Sequence, residues 1–326
     1  MRAVVISEKG GPEVLAVREV PEPEAGPRDL TVQVAAAGVN RADILQRLGQ
    51  YPPPPEAPSW PGLEVSGTVL EVGAGVAGDG WRVGDRVAAL LPGGGYAERA
   101  VVPAGLALRI PDRVSTIDAA ALPEGVATVW SNLRAARLSP GETLLVRGGS
   151  GGIGSLAVQI AHALGTRVLA TAGGPQRTAR LGALGAASSF DHRLPDLAGR
   201  VLAATGERGV DVILDVLGAG GLAENLAILA QDGRLVVIGL QQGRRGEIDL
   251  STLMAKRAAV LGTMLRSRPL DQRIAIVDGV RRHVWPFLDD GSVHPVVHTR
   301  LSFDEAPEAH RLLESGEAFG KVLLLP

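Results

Sequence analysis

No cysteine occurs among the 326 residues, which excludes disulfides, thiol nucleophiles and every thiolate metal site. Any redox chemistry must use a bound cofactor. Neither charge sign dominates, since 33 basic residues face 35 acidic ones for a formal net charge of -2. Without a basic excess, or a Lys/Arg cluster interleaved with aromatics, nucleic acid is not an expected partner. Lysine is rare, with Lys9, Lys256 and Lys321 alone, and Tyr51 and Tyr96 are the only tyrosines. No apolar run reaches the roughly 18 residues a membrane span needs. The opening Met1–Ile6 is broken by Lys9-Gly10-Gly11-Pro12 before it resembles a secretory leader, so the expected address is cytoplasmic, with no membrane partner.

What is present suits a globular chain: 45 % of the residues are apolar and 21 % charged. The length exceeds what one core usually organises, so two domains are expected. The first 120 or so residues are rich in Gly and Pro with short alternating runs such as Leu30-Thr31-Val32-Gln33-Val34, the pattern of a β-rich unit with few helices. From Thr143 onward strands are expected at 143–147, 167–172, 188–191, 211–216, 234–239 and 258–265. Amphipathic stretches separate them at 155–164, 176–184, 195–204 and 222–230. Helices of that length between strands require parallel crossovers, hence an α/β, doubly wound parallel sheet of Rossmann type. The expected boundaries are 1–122 for the β-rich unit, 123–266 for the dinucleotide-binding unit and 267–326 for the tail. That tail carries an Arg-rich helix and ends in the short apolar strand Lys321–Leu325, expected to return to the β-rich unit.

The strongest local signal is Leu144-Leu145-Val146-Arg147-Gly148-Gly149-Ser150-Gly151-Gly152-Ile153-Gly154, followed by a helix. Glycines at such a strand-to-helix turn let the backbone approach a pyrophosphate, and the helix start offers free N–H groups and a positive dipole end. Its place after the first strand of a six-strand alternation points to a dinucleotide. The same residues also read as G-x-S-x-G, the elbow of a serine hydrolase, with Ser150 as nucleophile and Asp215 and His294 as downstream partners. Against that reading, Gly154 is superfluous for an elbow and Pro92-Gly93-Gly94-Gly95 lacks the histidine of an HGGG oxyanion loop. A short-chain reductase needs a Tyr four residues before a Lys, which neither tyrosine provides.

An NAD site places an acid at the end of the second strand, against the ribose 2'-OH. Here that end reads Ala172-Gly173-Gly174-Pro175-Gln176-Arg177 and contains none. Gly173 and Gly174 leave room for a 2'-phosphate, and Arg177 can supply the countercharge. NADPH is the expected cofactor.

Several further motifs carry a family resemblance: Gly38-Val39-Asn40-Arg41-Ala42-Asp43, Pro61-Gly62-Leu63-Glu64-Val65-Ser66-Gly67, Val83-Gly84-Asp85-Arg86-Val87, Gly93-Gly94-Gly95-Tyr96-Ala97-Glu98 and Gly320-Lys321-Val322. With the glycine turn they span nearly the whole chain, which resembles the zinc-free quinone oxidoreductase branch of the medium-chain dehydrogenase/reductase superfamily. Asn40–Asp43, Gln46-Arg47 and Gly49-Gln50-Tyr51 with its following prolines look most like the tumour-suppressor-inducible subgroup. The resemblance implies a GroES-like catalytic domain beside the Rossmann domain. It implies cofactor contacts at Thr128, Gly151, Gly152, Ile153, Gly154, Gly173, Gly174, Arg177, Leu217, Gly239 and Leu240, with His192 where the family carries a Tyr. It also implies no metal: zinc relatives carry Cys where Asn40 stands and His where Leu63 stands. His294 and His298 are read as ordinary histidines, because Pro295 breaks a helical pairing.

Without a Lewis acid, hydrogen-bond donors must stabilise charge on the acceptor oxygen, which favours electron-poor quinones. Asn40 and Tyr51 are the candidate catalytic residues, with Asp43 and Glu64 orienting the region. The expected activity is NADPH-dependent quinone reduction, with an enone or enoyl reductase as alternative and a non-enzymatic, crystallin-like role as a distant one. A homodimer is expected through the edge strand 258–265.

Overall fold

The computed structural model describes residues 1–326, Ala77 by its backbone alone. The chain divides into two compact units, Met1–Ala127 with Arg266–Pro326, and Thr128–Leu265. The first boundary falls inside a helix rather than at 122/123, and the tail belongs to the first unit.

In the first unit, β1 (Arg2–Ile6) and β2 (Leu15–Glu19) form an antiparallel pair. A larger sheet is built on β3 (Asp29–Gly38), whose alternation buries Leu30, Val32, Val34 and Ala36 completely or nearly so. Helix α1 (Arg41–Arg47) follows at once, its start fixed by a reciprocal cap. Asn40 receives the N3 backbone N–H while the Asp43 carboxylate accepts from the Asn40 N–H at 2.8 Å. Strands β4 (Glu64–Val72), β5 (Arg86–Leu90), β6 (Arg99–Pro103) and β7 (Ala107–Arg109) complete the N-terminal part; β4 and β6 flank β3, and β5 joins β4 to β7. Helix α2 (Pro123–Ala135) then crosses from one unit to the other along the chain.

The second unit is the expected doubly wound sheet. Its strands are β8 (Thr143–Val146), β9 (Arg167–Ala172), β10 (Ser188–Asp191), β11 (Val210–Asp215), β12 (Leu229–Val237) and β13 (Ala259–Gly262). All pairings are parallel, in the order β10-β9-β8-β11-β12-β13. The connecting helices are α3 (Gly152–Ala163), α4 (Pro175–Ala183), α5 (Leu197–Ala204), α6 (Leu222–Ile228) and α7 (Leu250–Ala255). Strand β12 starts earlier than the periodicity suggests. Leu229 pairs with Val210, and an excursion at Asp232, with φ 60°, separates that pairing from the regular ladder at Arg234. Consequently the amphipathic stretch expected to be helical to 230 stops at Ile228. The core of this unit gathers Leu145, Leu169, Ile213 and Leu235 from the central strands against Val201 and Leu226 from the helices.

After the second unit come α8 (Leu270–His283), α9 (Pro286–Asp290), β14 (Val297–Ser302), α10 (Ala306–Ser315) and β15 (Lys321–Leu325). The terminal strand inserts between β14 and β3 and pairs antiparallel with Ala37 and Gly38. This return brings Lys321 into the interior of the first unit. Among the described residues no helix is long and apolar enough to cross a membrane.

Candidate dinucleotide seat and catalytic cluster

The glycine turn is built by the end of β8 and the start of α3. Gly148 adopts φ 76°, a left-handed conformation that favours glycine. A Cβ at Gly154 would lie 2.1 Å from the Gly148 carbonyl oxygen, so the helix packs on its own turn only because that position is bare. The neighbouring strand clamps the loop: Gly148 N–H donates to Thr171 Oγ1 at 3.0 Å and Gly149 N–H to the Thr171 carbonyl at 2.7 Å. Gly151 caps α3 without a side chain, and Ser155 N–H is the first to reach back, to the Gly151 carbonyl at 2.8 Å. The first-turn N–H groups of Gly152, Ile153 and Gly154 therefore point out of the helix at its positive end, the arrangement that suits a diphosphate.

Gly173 and Gly174 lie at the end of β9, beside the turn that follows β10. Ideal Cβ positions on them would meet His192 Cε1 at 3.2 Å and Arg193 Nη1 at 3.4 Å respectively. Arg177 bonds the Gly173 carbonyl through Nε at 2.8 Å. Burial first, with help from Arg147, Arg193 and Arg177, holds the His192 imidazole below the usual histidine pKa; Asp191 opposes this. Arg147 is paired with Glu224 at 2.7 Å, so Arg177 and Arg193 are the cations beside the glycines, and Asp191 is held low by backbone hydrogen bonds from Gly174 and Arg193. Sequence reasoning missed Arg193 and Thr171. The first was readable only as the neighbour of His192, and the second only once the β8–β9 pairing is known.

The turns after β11 and β12 are bound to each other. Gln241 N–H donates to the Val216 carbonyl at 3.1 Å and Gln242 N–H to the Leu217 carbonyl at 2.8 Å, so Leu217, Gly239 and Leu240 form one rim. All these turns stand at the carboxyl ends of parallel strands, where open α/β sheets bind ligands. Thr128 is buried on α2; its carbonyl accepts from Asn132 Nδ2 at 2.7 Å, and Asn132 Oδ1 accepts from Thr263 Oγ1 at 2.6 Å.

The hydrolase reading fails on Asp215. Its two carboxylate oxygens accept from Asn225 Nδ2 at 3.0 Å and Gly218 N–H at 2.8 Å, so it shapes the turn after β11 instead of orienting a histidine.

In the first unit, Asn40 sits at the centre of a buried polar network. Its amide N–H groups donate to the Gly38 carbonyl at 3.2 Å and Glu64 Oε1 at 2.9 Å, and its Oδ1 accepts from the Lys321 ammonium at 2.7 Å. Lys321 donates also to the Val39 carbonyl at 3.1 Å and forms a short ion pair with Glu64, both side chains being at most 4 % exposed. Both Asn40 donors are thus engaged within the protein, on Gly38 and Glu64, and its oxygen is engaged by Lys321. A zinc ion does not fit here. Zinc is held by thiolate, imidazole or carboxylate groups, whereas here stand an amide, the hydrocarbon side chain of Leu63 and an ammonium that bonds both the amide oxygen and the Glu64 carboxylate. Among the described residues no group of three or more His, Cys, Asp or Glu side chains is arranged as a metal site.

Below this lies a proton-ordered chain. Arg47 Nη1 can only donate to His310 Nδ1, at 3.2 Å, which places the imidazole proton on Nε2, facing the Tyr96 hydroxyl at 3.4 Å. Tyr96 in turn donates to Asp43 Oδ2 at 3.1 Å, while Gly62 N–H donates to Asp43 Oδ1 at 3.0 Å. Burial lifts Asp43 to about 6 in spite of these donors, and it drives His310 down to about 3 with help from Arg47. Glu124, opening α2, is lifted to about 8 by burial and by repulsion from Glu64.

Tyr51 is half-buried where the chain leaves α1, and its N–H bonds the Leu45 carbonyl at 3.1 Å. Arg266 lies over its ring, 5.2 Å from guanidinium carbon to centroid. The same guanidinium donates to the Pro92 carbonyl at 2.6 Å, Gln46 Oε1 at 2.7 Å and the Tyr51 carbonyl at 3.4 Å, tying the start of the prolyl loop to α1 and to the segment after β5. Burial raises the Tyr51 pKa, Glu124 raises it further and Arg266 opposes, so the phenol stays protonated. Its hydroxyl has no partner among the described residues. Arg266 is a third residue the sequence reading overlooked, although Arg266-Ser267-Arg268 stands out directly after the last Rossmann strand.

Residues 26–112 match the alcohol dehydrogenase GroES-like domain, and residues 152–277 match the zinc-binding dehydrogenase domain. A GroES-like unit followed by a Rossmann unit defines a medium-chain dehydrogenase/reductase. Within that superfamily the chain belongs to the quinone oxidoreductases: it is 32 % identical to the quinone oxidoreductase of Rattus norvegicus over 333 residues, covering 100 % of this chain and 98 % of that one. The solved quinone oxidoreductase of Thermus thermophilus, determined also in complex with NADPH, is 37 % identical with a TM-score of 0.85, over 100 % of both chains. The CurK enoyl reductase is also similar, at 25 % identity and a TM-score of 0.86, over 99 % of this chain and 98 % of that one.

Proposed function

We propose that the protein is a zinc-independent NADPH:quinone oxidoreductase whose cofactor rests on the Gly148–Gly154 turn. The observation carrying this is the bare first turn of α3, flanked by the cations Arg177 and Arg193, with His192 beside them, at the expected 2'-phosphate position. Gly151, Gly152, Ile153 and Gly154 would hold the diphosphate, Gly173 and Gly174 would give the 2'-phosphate room, and Thr128, Leu217, Gly239 and Leu240 would bound the remainder. When bound, NADPH supplies the hydride, and a proton completes reduction of the acceptor. The chain's own tasks are orientation, exclusion of water and stabilisation of charge on the acceptor oxygen. Tyr51 fits the last task as a protonated phenol with an uncommitted hydroxyl on a loop that Arg266 and four consecutive prolines keep rigid. Asn40, Glu64 and Lys321 hold the cluster beneath it.

An enoyl reductase is the second reading, supported by the CurK likeness and by the same donor-only chemistry. The two separate in one assay, in which NADPH consumption is followed with phenanthrenequinone and with a simple enone. Turnover of the quinone is expected, falling about tenfold or more in kcat for Tyr51→Phe. Turnover of the enone alone would replace the first reading with the second. The protein is further proposed to act as a homodimer joined along β13.

A further inference from the structure

Beside Tyr51 lies a cavity of about 420 Å³, lined by the prolines 52–54, by Arg266, Arg268 and Arg273, and by the start of α8. A second cavity, of about 400 Å³, adjoins it, and Arg273 lines both. Arg273 is only 5 % exposed, yet its Nε and Nη1 are fully buried with no hydrogen-bond partner among the described residues. Those two atoms are closed to solvent, so the rest of the guanidinium group is what lines the two cavities, and its charge there has no bonded carboxylate among the described residues. The second cavity also holds the carboxylates of Glu24, Asp29 and Glu56, but on the side of the first the surroundings are mainly cationic. Arg266 spends its hydrogen bonds on the uncharged acceptors Pro92 O, Tyr51 O and Gln46 Oε1, leaving its charge without a bonded carboxylate among the described residues. Helix α8, of 14 residues, begins at Leu270 on the cavity wall with no side-chain cap, so its positive end adds to the field. Against three guanidinium groups the lining holds one carboxylate, Glu56, which is exposed and forms no ion pair with Arg273.

We propose that this cavity is an oxyanion subsite, and that the acceptor reduced by this enzyme carries a carboxylate, sulfonate or phosphate group that pairs with Arg273. The inference rests on the quinone reductase reading for the nature of the acceptor, and on Tyr51 as the shared border between the reacting oxygen and the anionic end. A guanidinium stays charged even when buried, so the part of it that lines the cavity can pair with such a group.

The test compares 1,2-naphthoquinone with 1,2-naphthoquinone-4-sulfonate at constant ionic strength. For the unaltered protein the sulfonate is expected to have a KM lower by about tenfold, the size of one charge-assisted hydrogen bond, and Arg273→Gln should abolish that preference. Because Arg273 is buried, Arg268→Gln serves as the second variant, expected to reduce the preference severalfold. A binding arm independent of turnover measures the melting temperature with 2-naphthalenesulfonate, with neutral 2-naphthol and with inorganic phosphate. A rise with the sulfonate but not the naphthol, absent in Arg273→Gln, supports the subsite even if no quinone is reduced, in which case the functional reading alone fails. Equal KM values together with no sulfonate-dependent rise would overturn the subsite. A rise with phosphate alone, without a KM preference, would make it a site for a free anion and overturn its assignment to the acceptor.

Discussion

His310 is neutral because no proton can be added to it without placing a second cation against Arg47 in a dry interior. Its pKa is held at about 3 in the folded protein against an ordinary 6.5. Below pH 6.5 the unfolded chain takes up a proton that the folded chain refuses, so the stability tied to this residue is present above 6.5 and drains away as pH falls toward 3. The limiting slope is about 1.4 kcal/mol per pH unit. Asp43, two hydrogen bonds away, works in the opposite direction: lifted to about 6, it makes folding less favourable as pH rises from 3.8 to 6. Replacing His310 by Gln should therefore destabilise the protein at pH 7 but leave a shallower acid limb, with the two denaturation midpoints converging as pH falls below 6.5. Urea melts at several pH values read this directly; parallel profiles for the two proteins would show that His310 is not the acid-sensitive group. Lys321 and Glu64 make the companion case of a buried pair, in which removal of either member strands the other at a cost of about 3–5 kcal/mol.

At the scale of elements, the edge strand β13 is unusual for a buried parallel sheet. Three of its four residues are exposed, Val260 is 40 % exposed, and Met254 and Met264 nearby are 77 % and 52 % exposed. An edge of this kind, with apolar side chains and open backbone groups, is a liability unless another strand covers it. A second copy related by a twofold axis would cover both edges at once, extending two sheets into one. Light scattering on the purified protein should accordingly give twice the chain mass, and Val260→Lys should shift it toward the monomer without altering the fold. A monomeric unaltered protein would remove β13 from consideration as an interface. The elements themselves were largely legible. Strands at 167–172 and 188–191 match the expected bounds: the first is a mainly apolar run, Val168-Leu169-Ala170, and the second is marked by its place between two amphipathic stretches. The β12 start was not legible, since the pairing of Leu229 with Val210 depends on a neighbour about twenty residues away and on the left-handed backbone at Asp232.

Across the whole molecule, legibility falls with the sequence distance between partners. The glycine turn could be read locally, because its six or seven residues contain both the bare backbone and the helix that needs it. The Asn40–Glu64–Lys321 cluster could not, because it joins β4 and the residue capping α1 to a terminal strand whose return was expected but whose register was not. That is why Asn40 was read as a free donor, and why Lys321 was read as a motif without a partner. Arg193, Arg266 and Arg273 share this limit; one arginine among thirty gains meaning only from the cavity or turn around it. The account as a whole turns on a dinucleotide held by main-chain amides at Gly151–Gly154 and selected through its 2'-phosphate. Calorimetric titration of NADPH and NADH into the unaltered protein and Gly154→Ala tests it most directly. Binding of NADPH about tenfold or more tighter than NADH is predicted, from one or two charge-assisted hydrogen bonds, with both lost in the variant. Equal or tighter binding of NADH, or undiminished NADPH binding by Gly154→Ala, would contradict it.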